Sequence, residues 1–210
     1  IWTACMFGGE DASRAYNESV SLILFGDLNR VVLEGSIQKL IGRHEALNAT
    51  FSTDGRFMTI FEKTSIEVLY QDISQLNKTQ KNNAINNYLS EDANNIFDLA
   101  KGPLIKISLL KLSNLEHQLV LTAHHIICDG WSLGIMLEEL GGFYSAKIQG
   151  VTPDVPQPDT FSSYVEEEQE FINSAEYVKT EKYWLKLYET SVPMVTLPTD
   201  FPRPQLRTYK

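Results

Sequence analysis

The run His124-His125-Ile126-Ile127-Cys128-Asp129-Gly130 gathers side chains that can move protons and hold charge. An imidazole titrates near neutral pH, so a histidine here can accept or donate a proton during a reaction. The run lies where an apolar, β-branched stretch gives way to a helical pattern, and such junctions present functional groups. Neighbouring side chains on a strand point to opposite faces, so His124 and His125 cannot both enter one site: one faces the reaction and the other the packing. Asp129, beside a buried strand end, must be paired or capping, because an unpaired buried carboxylate is costly. It either bridges to an arginine or caps the helix that follows. Gly130 allows a tight turn and close backbone approach. Free N–H groups at the start of that helix would favour negative charge developing next to the imidazole.

Plainer readings compete at each of these positions. Buried histidines are often only satisfied core groups; a His pair followed by Asp-Gly at a turn lifts this run above that reading. His125 and Asp129 stand four apart, a spacing that suits a metal only on a helix, and no third ligand is evident. The chain has no G-x-S-x-G nucleophile elbow, no G-x-x-x-x-G-K-[ST] and no G-x-G-x-x-G. Arg43-His44-Glu45 closes a long helix. There His44 reads as a surface or dipole group, and Arg43 as the cation that Asp129 needs. Cys128 reads as a small core residue, Trp131 as packing, and His117 as the exposed start of a strand. Glu166, Glu167, Glu168 and Glu170 read as a solvated face.

The elements that must position this run follow from periodicity. Residues 1–7 read as a helix end stopped by Gly8-Gly9, and 18–26 as a strand. Asn29 caps a helix over about 30–46 with the apolar stripe Val32, Ile37, Leu40, Ile41, Leu47. Asp54-Gly55 marks a hairpin between 49–53 and 56–62, and 65–70 makes a further strand. The polar stretch 79–95 suits a surface helix. Two apolar runs, 104–112 and 117–127, read as adjacent antiparallel strands, the second deeply buried. From Trp131 to Lys147 the pattern is helical, with Leu133, Met136, Leu137, Leu140 and Tyr144 on one face. Helices follow at about 160–173 and 175–190, beyond a connector carrying Pro153, Pro156 and Pro158. Pro193, Pro198, Pro202 and Pro204 mark a linker-like exit. Intermingled strands and helices give an α/β (α+β) class with a mixed sheet.

Composition sets the outer limits. The 210 residues suffice for a real core, and 43% hydrophobic with 21% charged residues is globular composition. The net charge of −9, without a basic cluster, argues against nucleic acid as the main partner. Cys5 and Cys128 are too few for a disulfide scaffold. Apolar stretches fall well short of the roughly 20 residues of a membrane span. No signal peptide opens the chain, so the cytoplasm is the expected compartment and Asn17, Asn48 and Asn77 are read as chance glycosylation triplets. The abrupt start at Ile1-Trp2 and the stop after a Pro-rich stretch suggest a piece of something longer.

The segment LTAHHIICDGWS resembles the H-H-x-x-x-D-G region of condensation domains of nonribosomal peptide synthetases. Arg43-His44-Glu45-Ala46-Leu47 resembles that family's R-H-E-x-L-R motif, and Phe97-Asp98-Leu99 with Gly102-Pro103-Leu104 its F-D-L-x-x-G-P-L block. Tyr183-Trp184-Leu185, Leu197-Pro198-Thr199-Asp200 and Pro202-Arg203-Pro204 resemble the end of its first half. The resemblance implies the N-terminal lobe, over 1–210, of a V-shaped pair of lobes like chloramphenicol acetyltransferase, with 193–210 leading toward a missing C-terminal lobe. It implies amide-bond formation between an acyl or peptidyl thioester and an amino acid, each tethered by phosphopantetheine to a carrier protein, with no cofactor or metal bound directly. By position it makes His125 the catalytic histidine, Asp129 a structural aspartate, Gly130 the glycine near the thioester, and Arg43 a structural arginine. Whether His125 takes the amine proton or only positions the amine stays open.

Several positions depart from the family pattern. Asn48 stands where the motif usually has arginine, and the opening A-Q pair is absent, with only Ile1-Trp2 left of that motif. The segment from Gly8 to Ser19 resembles condensation domains of hybrid polyketide–peptide assembly lines. Epimerisation domains share the His-His signature, whereas heterocyclisation domains carry D-x-x-x-x-D in its place. A non-catalytic docking lobe with a degenerate His-Asp pair is the competing reading. The two are separated by whether His125 lines a solvent-reached groove while Asp129 turns away into a salt bridge.

Overall fold

The structure, a computed structural model, describes residues 1–62, 64–193 and 196–202. It divides into two compact units, Ile1–Pro158 and Asp159–Lys210. The first begins with α1 (Trp2–Arg14), in which Gly9 sits at φ 64°, ψ −154°. The glycine kinks the segment, as a residue without Cβ can, but does not end it: helix resumes to Arg14, beyond the stop expected at Gly8-Gly9.

A four-stranded sheet in the order β1-β6-β5-β4 carries the unit. Its strands are β1 (Asn17–Phe25), β4 (Val68–Asp72), β5 (Ile105–Ser113) and β6 (Glu116–His124). A two-residue turn, Asn114-Leu115, joins β5 to β6 antiparallel, while β4 reaches β5 in parallel through α3 (Lys78–Ala93). That pairing needs a crossover, which the helix supplies. β4 lies a few residues later than the 65–70 expected, because the Gln38 side chain takes both backbone groups of Ile66 before the strand starts. The hairpin forms as expected from β2 (Ala49–Phe51) and β3 (Met58–Ile60) around Gly55, whose φ of 69° suits glycine.

The two sheet faces have different coverings. Leu119, Leu121 and Ala123 of β6 join Ile37, Leu40 and Ile41 of α2 (Arg30–Arg43) with Met136 and Leu140 of α4 (Gly130–Gln149) in the main core. On the other face Thr122 donates to the Asp92 carboxylate of α3, which also pairs with Lys106 Nζ at 2.8 Å. β6 is buried along nearly its whole length, since both faces are covered.

Two sequence expectations fail here. His117 is buried, at 7% exposure, because its strand is interior from its second residue. Trp131 is not packed: it is 81% exposed, on the first turn of α4 facing away from the core stripe.

The second unit is a helical hairpin, α5 (Phe161–Ile172) and α6 (Ala175–Leu187), capped by the side chains of Thr160 and Ser174. Phe171 and Tyr177 pack edge to face across its turn. Glu166, Glu167, Glu168 and Glu170 are exposed. Pro193, Pro198 and Pro202 lie in no helix or strand, whereas Arg203, Pro204 and the rest of the expected exit linker lie outside the described residues.

Candidate active site

The strand ladder carries one residue past β6: His125 N–H donates to Tyr16 O at 2.7 Å, and Ile127 N–H then turns back to His124 O at 3.0 Å. Alternation does the rest. His124 continues the face that carries Thr122, and His125 continues the face that carries Ala123.

His124 is fully buried, with 0% exposure. Its Nδ1 accepts the Ile126 amide at 3.2 Å, so the neutral ring carries its proton on Nε2. From there it donates toward Ser13 Oγ at 3.4 Å and Cys5 Sγ at 3.7 Å. Burial, with the neighbouring His125, pulls its pKa down to about 4. Burial also raises Cys5, so the Cys5–His124 contact is that of two neutral packing partners.

His125 is anchored the opposite way. Its Nδ1 lies 2.7 Å from Cys128 O. A carbonyl oxygen only accepts, so Nδ1 bears hydrogen and the neutral ring keeps its lone pair on Nε2. Glu18 Oε1 is 3.1 Å from the same nitrogen, and Tyr16 stacks beside the ring with centroids 6.5 Å apart. The side chain is 34% exposed. This is the arrangement of a ring held at one nitrogen and able to take a proton at the other. Cys128, which supplies the anchoring carbonyl, is buried, and burial followed by the Glu18 and Asp129 carboxylates pushes its thiol up to about 12. It is a packing residue rather than a nucleophile.

Asp129 resolves its two open readings in favour of the cap. Its Oδ1 accepts Ser132 N–H at 2.8 Å and Ser132 Oγ–H at 2.7 Å, and these bonds, the hydroxyl first, hold its carboxyl below the usual range. It is exposed, so neither pairing nor a salt bridge was needed. The cap also occupies the Ser132 amide, one of the helix-start donors expected to serve the imidazole. Gly130 is the first helical residue and has no positive φ. The tight turn therefore does not need it, but a Cβ built there meets nothing within 4 Å, leaving the backbone open to close approach.

Arg43 is not the partner of Asp129. Its Nε donates to both carboxylate oxygens of Glu139 at 3.1 Å, and Nη1 reaches Gln157 Oε1 at 3.3 Å. His44 Nε2 donates to the same Glu139 at 2.7 Å, so His44 is a pinned, half-buried group rather than a surface one. Asn48 closes the end of α2, donating to Ile41 O at 2.6 Å and His44 O at 3.0 Å while accepting Thr64 N–H.

Two residues here were not singled out from sequence. Glu139 had no signal beyond an acid on the polar side of a helix. Glu18 did: it opens the inward row Glu18, Val20, Leu22, Leu24 of β1, where an acid interrupts an otherwise apolar alternation. Leu22 and Leu24 continue that row into an apolar cavity of about 330 Å³, lined also by Leu119, Leu137 and Leu140.

Comparison with known proteins adds a lineage to this geometry. The family profile described as "Condensation domain" matches residues 6–210. The chain is 35% identical over 203 residues to surfactin synthase subunit 1 of Bacillus subtilis (strain 168), covering 96% of this chain and 5% of that protein. It is 30% identical over 217 residues to malpinin synthetase of Mortierella alpina, covering 100% of this chain and 3% of that one. Among solved structures, the starter condensation domain of rhizomide synthetase superposes with a TM-score of 0.81 at 24% identity, over 90% of this chain and 45% of that one. VibH, described as an NRPS condensation enzyme, gives 0.77 at 22%, over 91% and 44%. The chain thus spans a few per cent of its curated relatives and less than half of these solved chains.

Proposed function

Because the chain belongs to the condensation-domain family, we propose that it is the N-terminal lobe of a domain that forms amide bonds in nonribosomal peptide synthesis, with His125 as its catalytic residue. The observation that carries this reading is the anchored, open imidazole: Nδ1–H on Cys128 O, the ring one-third exposed. The substrates are an acyl or peptidyl thioester and an amino acid, each on the phosphopantetheine arm of a carrier protein.

In the reaction the amine nitrogen attacks the thioester carbonyl carbon, forming the C–N bond as the C–S bond breaks. The amine proton passes to Nε2 of His125 and from there to the departing thiolate, leaving an amide and a free thiol. Gly130, with open space beside its backbone, lets the thioester come close. His124, Asp129 and Arg43 support the site without touching substrate: a core partner, a helix cap, and a brace through Glu139. A hybrid polyketide–peptide setting is the finer reading, and rests on the segment from Gly8 to Ser19.

The match to less than half of each solved condensation chain supports placing a second lobe outside these residues. This lobe alone is then inactive, for lack of the facing half of the substrate channel. Among the described residues no helix is long and apolar enough to cross a membrane.

The test is His125→Ala in the complete two-lobed protein, with loaded donor and acceptor carriers. Amide formation should fall about 100- to 10,000-fold, the usual contribution of a general base, with folding unchanged. Full turnover in that variant would overturn the assignment in favour of a docking lobe. Normal turnover by the isolated 210-residue chain would refute the two-lobe reading.

A further inference from the structure

We propose that Glu18 is a positioning residue for His125: its carboxylate holds the Nδ1–H side of the ring and stabilises the positive charge that appears when Nε2 takes the amine proton. The proposal rests on the assignment of His125 above and goes beyond it.

Register builds the pair. Glu18 lies directly opposite Ala123 across the β1–β6 ladder, with both side chains on the inward face. His125, two residues beyond Ala123, is the diagonal neighbour, within reach of a long side chain. The observed contact, Glu18 Oε1 to His125 Nδ1 at 3.1 Å, is that diagonal. Both side chains are about one-third exposed. A carboxylate on the edge of water keeps its charge cheaply, yet acts in a less screened setting than bulk solvent.

The Cys128 carbonyl accepts the Nδ1–H bond, whereas the Glu18 carboxylate stands beside the same nitrogen as an ion-pair partner, and the two do different work. The carbonyl is a dipole and sets the tautomer. The carboxylate is a full charge, and its attraction grows when the ring becomes imidazolium, so its effect belongs to the step in which the proton moves. An acid in an inward row otherwise made of Val20, Leu22 and Leu24 has no packing reason to be there. Replacing it with an apolar residue should cost the fold nothing.

Two charge-removing variants of the complete two-lobed protein test this, assayed with carrier-loaded substrates. Glu18→Gln keeps shape and hydrogen-bonding capacity; Glu18→Met continues the apolar row. Both should melt at or above the parent temperature. Both should lower kcat roughly 10- to 100-fold, part of what a general base contributes, with KM for either carrier substrate within about twofold. In a His125→Ala background, Glu18→Gln should cost little further, because a residue acting through the ring has nothing left to act on. Unchanged kcat in both variants would overturn the inference, as would a loss that multiplies fully with that of His125→Ala. In either case a severe His125→Ala defect would leave the assignment of His125 standing, while a harmless one would remove it.

Discussion

His124 and His125 are consecutive residues of one type, separated by the thickness of a strand. One is sealed among Cys5, Ser13 and the Ile126 amide; the other stands a third exposed between Glu18, Tyr16 and the Cys128 carbonyl. Their tautomers are opposite because their fixed partners are opposite: a backbone N–H drives the proton of His124 to Nε2, and a backbone C=O draws that of His125 to Nδ1. Residue type alone therefore assigns no role. The buried ring spends both nitrogens on packing, whereas the partly exposed one is anchored through Nδ1 alone.

The widest gap between the two rings should appear in activity. His125→Ala should leave stability nearly unchanged while lowering turnover in the two-lobed protein by about 100- to 10,000-fold. His124→Ala should instead destabilise the fold by about 3 kcal/mol, since it empties a buried site and orphans its partners. Denaturant titration of both variants checks this, and a large loss of stability in His125→Ala would erase the contrast.

Acid should separate the pair more gently. The folded-state pKa of His124, about 4, lies below its ordinary 6.5, so the unfolded chain takes the proton first. Stability should fall as pH drops from about 6.5 to about 4, by about 3 kcal/mol at roughly 1.4 kcal/mol per pH unit. Urea midpoints of the parent and of His124→Gln across that window isolate the contribution, and parallel curves would refute it.

The same logic sharpens the distinction between Asp129 and Glu139. Arg43 and Glu139 should show a coupling of about 1–3 kcal/mol in a double-mutant cycle, whereas Arg43 and Asp129 should be additive. The smallest effect belongs to the cap itself. Asp129→Asn retains a capping oxygen and should melt near the parent temperature, while Asp129→Ala should melt lower. Equal melting of the two would mean that the cap contributes nothing.

Much of the frame could be read before the structure. The Asn29 cap, the Asp54-Gly55 hairpin, the paired strands ahead of the signature and the stripe Leu133, Met136, Leu137, Leu140, Tyr144 all express local rules of period and capping, and each is present. The alternation that splits the two histidines is equally local. The failures were of another kind. Placing Trp131 in the core and His117 at the surface required knowing what covers each face of α4 and β6. Pairing Arg43 with Asp129 assumed that a needed cation finds the nearest conspicuous acid. Glu139, further along α4, is the acid that the guanidinium meets.

By itself, then, the sequence determined the order and type of the elements, the opposite facing of His124 and His125, and the family resemblance, because these depend on neighbours along the chain. Tertiary structure alone decided which histidine is buried, which acid meets Arg43, and that Glu18 from the first strand stands beside a ring more than a hundred positions later. Those outcomes depend on strand register and helix placement, which bring together residues that no local period connects.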